Sequence, residues 1–157
     1  EFFLTGTFSL NSTQLNNNDF VLVSHRHKIH YPFYENEKGL VYHGDGITTF
    51  RVNAQGKMTL SSLLKDTKQL KLKGSTRIET IKISEQQAIV LIATRDEKSI
   101  QIAALNSKGI LTPIQAYDIN CSVYNGMTIE KIGNQWFVFV GDYKRNVVYS
   151  YLLEVNE

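Results

Sequence analysis

Residues 88–115, AIVLIATRDEKSIQIAALNSKGILTPIQ, read as strand, tight turn, strand, glycine turn, strand. Residues 89–92 (IVLI) form an unbroken apolar run, the pattern of a strand covered on both faces. Arg95, Asp96, Glu97 and Lys98 follow, and burying four charges would cost far more than turning the chain there. Ile100, Ile102 and Ala104 then alternate with Ser99, Gln101 and Ala103, the two-residue period of a second strand. Asn106-Ser107-Lys108-Gly109 is a turn in which Gly109 takes a positive φ without Cβ strain. Residues 110–117 make a third, more polar strand, and Pro113, lacking an amide donor, suits a sheet edge.

The same phrase occurs before and after. About 53 residues earlier, Ile47-Thr48-Thr49-Phe50-Arg51-Val52 matches the alternating strand, and Asn53-Ala54-Gln55-Gly56 falls on the Asn106 turn. About 48 residues later, Trp136-Phe137-Val138-Phe139-Val140 replays the apolar strand, residues 141–146 its polar turn and residues 147–153 its partner. The expected organisation is one all-β domain over 1–157, with copies near 20–65, 75–118 and 122–157.

A chain of 157 residues, 42% hydrophobic and 20% charged, is long enough to bury a core and ordinary in composition for a folded domain. A net charge of +2 gives no electrostatic reason to expect nucleic acid or a membrane surface as partner. No apolar run approaches the roughly 20 residues of a spanning helix. The single cysteine, Cys121, leaves no internal disulfide framework and reads as an inert buried thiol.

Taken in order, residues 2–10 are expected to form a strand, with a bulge or close packing at Gly6, and residues 11–19 (NSTQLNNND) a polar loop. Asn11-Ser12-Thr13 and Asn120-Cys121-Ser122 fit the glycosylation triplet, a pattern common by chance. Residues 24–34 (SHRHKIHYPFY) hold most of the histidine. His25 and His27, two apart, share a face if the segment is a strand, which a zinc or iron site could use, with His43 and Asp45 approaching from a neighbour. The plainer expectation is hydrogen-bonded or exposed imidazoles. Residues 40–42 read as a further strand. Residues 65–73 (KDTKQLKLK) are a basic connector, read as an outer edge strand guarded by lysines rather than as an anion site. Tyr124-Asn125-Gly126 is expected to be turn chemistry at a strand entry. Elbow, Cys/His and glycine-rich phosphate motifs are absent from the sequence.

The phrase NGMTIEKIGNQWFVFVGDYKRNVVYSYLLEV, residues 125–155, resembles a blade of the calcium-dependent lactonase propellers of the paraoxonase and senescence-marker type. That resemblance implies Asn125 as a metal ligand at a central channel, although no Asp or Glu matches the other ligand positions. The same tail is similar to a WD40-like blade, with Asp142 as the turn aspartate, but the usual Gly-His and Trp-Asp pairs are not in place.

Repeating short strands of this kind suit β-propeller blades, about three of four strands each, or a β-trefoil. Three blades cannot close a ring, so the expectation is part of a larger propeller, completed by a protein partner, by self-association or by further sequence. The leading functional expectation is a non-enzymatic, protein-binding propeller module with His43, Arg77, Tyr124 and Asn125 at its ligand-facing rim and no cofactor. The alternatives are a metal-dependent lactonase or esterase, with Asn125, His25 and His27 as candidate divalent-metal ligands, and a carbohydrate-binding trefoil suggested by Gln135-Trp136.

Overall fold

The computed structural model describes residues 7–25, 45–121 and 123–154, and for Tyr124 and Asn125 the backbone alone. The expectations for residues 2–6, for His27, His30 and His43, and for the strand at 40–42 lie outside the described residues. Eleven strands and no helix make up the described chain: β1 (Thr7–Leu15), β2 (Asn18–His25), β3 (Gly46–Val52), β4 (Met58–Lys65), β5 (Ser75–Lys82), β6 (Gln87–Thr94), β7 (Ser99–Asn106), β8 (Leu111–Asp118), β9 (Val123–Ile132), β10 (Gln135–Asp142) and β11 (Val147–Leu153). They form three antiparallel sheets, each a simple meander: β1-β2-β3-β4 (sheet I), β5-β6-β7-β8 (sheet II) and β9-β10-β11 (sheet III).

Turn chemistry sets these boundaries. Asn16 and Asn17 hold φ of 47° and 59°, the left-handed pair of a two-residue hairpin between β1 and β2. The β3–β4 and β7–β8 hairpins are built alike. Asn53 Oδ1 accepts from the amides of Gln55 (3.1 Å) and Lys57 (2.8 Å). Asn106 Oδ1 accepts from those of Lys108 and Ile110, both at 3.0 Å. Gly56 and Gly109 each close the loop, with φ of 75° and 82°.

Alternation along the strands decides which faces meet. Val90 and Ile92 point from β6 into a cluster shared with Phe20, Leu22 and Ile47 of sheet I. Leu91 and Ala93 point the other way, into a cluster with Val123, Met127, Val138 and Val140 of sheet III. Sheet II is therefore covered on both faces, which is why its central strand reads as a continuous apolar run. The outer strand β8 is mostly exposed, and Pro113 lies at its register shift, as an edge position requires.

Three expectations are corrected. Residues 11–15 continue β1 rather than looping: Asn11 serves the neighbouring sheet, with Thr80 Oγ1 donating to its Oδ1 (2.8 Å) and its Nδ2 donating to the Ile78 carbonyl (3.2 Å). After Lys65 the connector is not an edge strand but a loop. It is pinned by Leu72, which is fully buried and whose amide donates to Asp66 Oδ1 at 2.8 Å. Asn125 and Gly126 are not a turn but lie within β9, where a Cβ on Gly126 would stand 3.3 Å from Gly141 Cα of β10. The third copy has three described strands, its outermost partner absent among the described residues as expected. Among the described residues, strands pair only within their own sheet, so the single closed barrel of a trefoil is not formed.

Candidate functional site

The first strands of the three sheets lie side by side and start at the same end. The Ile78 amide of β5 donates to Ser9 Oγ of β1 (3.2 Å), and Thr76 Oγ1 of β5 donates to the Val123 carbonyl of β9 (2.9 Å). Because Ser9 meets Ile78 and Asn11 meets Thr80, β1 and β5 run in the same direction.

At that shared end every sheet is irregular in the same place. The pairing of first with second strand shifts register between Thr7 and Ser9 in sheet I, between Ser75 and Arg77 in sheet II, and between Val140 and Asp142 in sheet III. Bulges of this kind twist a strand and re-aim the side chains that follow. Each second strand also ends there on a buried polar residue: His25, Thr94 and Asp142. His25 Nε2 lies 3.0 Å from Thr48 Oγ1. Thr94 Oγ1 lies 2.7 Å from Ser99 Oγ across its hairpin. Asp142 Oδ1 accepts from the amides of Lys144 (2.9 Å) and Arg145 (3.3 Å), so it acts as the turn aspartate. Each is hydrogen-bonded to the next strand or to the turn that leads to it, and burial without such partners would be costly.

Arg77 follows the bulge in β5. Its Nε donates to Glu79 Oε1 (2.8 Å), and its Nη2 lies 2.7 Å from the same oxygen. Glu79 Oε2 also accepts from Asn11 Nδ2 at 3.5 Å. The guanidinium stays 41% exposed while its carboxylate partner is 16% exposed, so one edge of a cation is oriented and the rest is offered to solvent. Sequence reasoning named Arg77 and missed Glu79 and Asn11. The signal for Glu79 was present, since residues two apart on a strand share a face.

The other sequence candidates fall as follows. Tyr124 and Asn125 are the second and third residues of β9, at the same bulged end as Arg77. His25 sits there too, buried beside Thr48. His43 and His27 lie outside the described residues. Among the described residues no group of three or more His, Cys, Asp or Glu side chains is close enough to hold a metal ion. Cys121 is buried; burial first, then Asp142, raise its thiol above the ordinary value, with Arg145 opposing. That is the environment of an inert thiol. Burial likewise raises the Glu97 carboxyl, with the Lys73 amide working against it.

At the opposite end a depression of about 400 Å³ is lined by Asn18, Asp19, Arg51, Asn53 and Lys57. Arg51 there donates to Asn18. It is open and lies far along the strands from the bulges, so the bulged end remains the better candidate.

No protein-family model matches the chain, and no curated protein sequence matches it either.

Proposed function

We propose that the chain is a non-enzymatic interaction module of the β-propeller type, with sheets I, II and III as successive blades and the bulged end as its ligand-facing rim. The observation that carries this reading is the side-by-side placement of β1, β5 and β9, starting at one end, each the first strand of its own meander. Meanders stacked face to face around their first strands have blade geometry, and the shared hairpins at Asn53 and Asn106 fit a repeated unit. The ligand class is protein, because the rim offers an oriented arginine and backbone positions for an aromatic and an amide, groups that favour protein surfaces.

The test is a comparison of proteins retained by the immobilised chain and by Arg77→Ala, together with thermal melts with and without EDTA. The expected result is a partner lost on the substitution, and melting temperatures unmoved by either change. A melting temperature that falls by several degrees in EDTA and recovers with calcium would instead identify a metal-dependent hydrolase.

A further inference from the structure

Sheets I and II each have four strands, whereas the described part of sheet III ends at β11. The three outer strands differ in how they treat their free edges. β4 ends on Lys65 and pairs with a register shift between Thr49 and Phe50. β8 carries Pro113 at its own shift and ends on Asp118. Charge, proline and bulges are the devices that keep sheet edges from pairing with other chains. β11, VVYSYLL, has none of them, and it pairs with β10 in unbroken register from Asp142↔Val147 to Trp136↔Leu153. Two of its outward side chains are apolar, Val148 at 72% and Leu152 at 50% exposure, on either side of the exposed Ser150.

The strand is also self-complementary. Laid antiparallel against a second copy of itself about Ser150, it places Tyr149 opposite Tyr151, Val148 opposite Leu152 and Val147 opposite Leu153. Apart from the central Ser150–Ser150 pair, every cross-strand pair is then apolar or aromatic, and no like charges face each other, the combination that favours antiparallel pairing. Glu154 falls opposite Asn146, again without repulsion. Among the described residues no strand pairs with the outer edge of β11, and its contact with sheet II is through the inward side chains of Tyr149, Tyr151 and Leu153.

We infer that β11 is a homotypic docking strand: two copies of this chain join edge to edge across a two-fold axis at Ser150, making one six-stranded sheet from two copies of sheet III. This goes beyond the proposed function and does not depend on it, since it uses only the β11 edge.

The experiment measures mass by light scattering across a concentration series, for the native chain, Ser150→Lys and Ser150→Cys. The native chain is expected to reach twice the monomer mass. Ser150→Lys places like charges across the axis at an exposed position and is expected to stay monomeric with an unchanged melting temperature. Ser150→Cys is expected to form a disulfide-linked dimer under mild oxidation, because residues directly opposite in antiparallel strands have Cα atoms about 4.5–5.5 Å apart. Val148→Cys is expected not to cross-link to itself, since its two copies lie four residues out of register. A monomer at all concentrations overturns the inference. So does a dimer that survives Ser150→Lys, or one that fails to cross-link through position 150.

Discussion

Gly56 and Gly109 occupy the same place in two hairpins with the same hydrogen bonds, yet they tolerate a side chain differently. Nothing lies within 4 Å of a Cβ built on Gly56, so Gly56→Ala meets only the strain of a positive φ, about 1 kcal/mol. A Cβ on Gly109 would stand 2.7 Å from Phe20 Cε1 and from Ser61 Cβ, which adds an overpacking cost of about 1–3 kcal/mol. Urea denaturation should therefore show a clearly larger loss for Gly109→Ala, and equal losses would contradict the packing of that hairpin tip on sheet I. Both glycines were legible as turn residues; the Phe20 contact was not, because nothing local places sheet I under the tip. Cys121 supplies a pH dependence at the same scale. Its folded thiol ionises above the ordinary value, so the unfolded chain loses its proton first as pH rises. The stability is complete below the ordinary thiol value and falls as pH climbs through it. Tyr151, also raised by burial, adds a loss of the same sign at higher pH. Denaturation midpoints measured across alkaline pH should decline, and Cys121→Ala should remove the first part of the slope. A slope unchanged by that substitution would count against the buried thiol.

Among the elements, the paired asparagine hairpins make the sharpest comparison. Asn53→Ala and Asn106→Ala each remove two hydrogen bonds from side-chain oxygen to backbone amide, a loss of about 1–2 kcal/mol apiece. Chemical denaturation should give similar values for the two, and a silent substitution at either would show that its hairpin does not depend on the cap. These turns were readable because the Asn-x-x-Gly pattern carries its own geometry. The loop expected over residues 11–19 failed for the opposite reason. Asn11, Ser12 and Thr13 look like loop residues by composition, but Asn11 spends its amide on β5, and a contact between sheets leaves no local trace. The connector after Lys65 was misread in the same way, since Leu72 looked like one apolar residue in a lysine-rich edge and is instead an anchor in the core.

For the molecule as a whole, the two-sided burial of sheet II is the feature with the largest energetic consequence. Leu91→Ala and Ile92→Ala remove neighbours that point to opposite faces, one toward sheet III and one toward sheet I. Each should cost about 2–5 kcal/mol by equilibrium denaturation, whereas Ile114→Ala on the outer strand, at 56% exposure, should stay within about 0.5 kcal/mol. A mild effect at either buried position would mean that the corresponding sheet does not pack there. The candidate rim belongs to this scale too. Arg77, the start of β9 and His25 are far apart in sequence and lie at one end because three meanders begin together.

Local chemistry was enough to specify strands, most of their turns, the doubly buried β6 and the edge character of β8. Period-two patterning, Asn and Gly at positive φ, and an imide without a donor act within a few residues and need no partner to be read. Only the tertiary structure decided which sheets cover which, why polar β1 is a strand, where the bulges align, and that Asn11 of β1 reaches Glu79, the partner of Arg77. Those depend on surfaces brought together from distant segments, and the energy of such contacts is invisible to either segment alone.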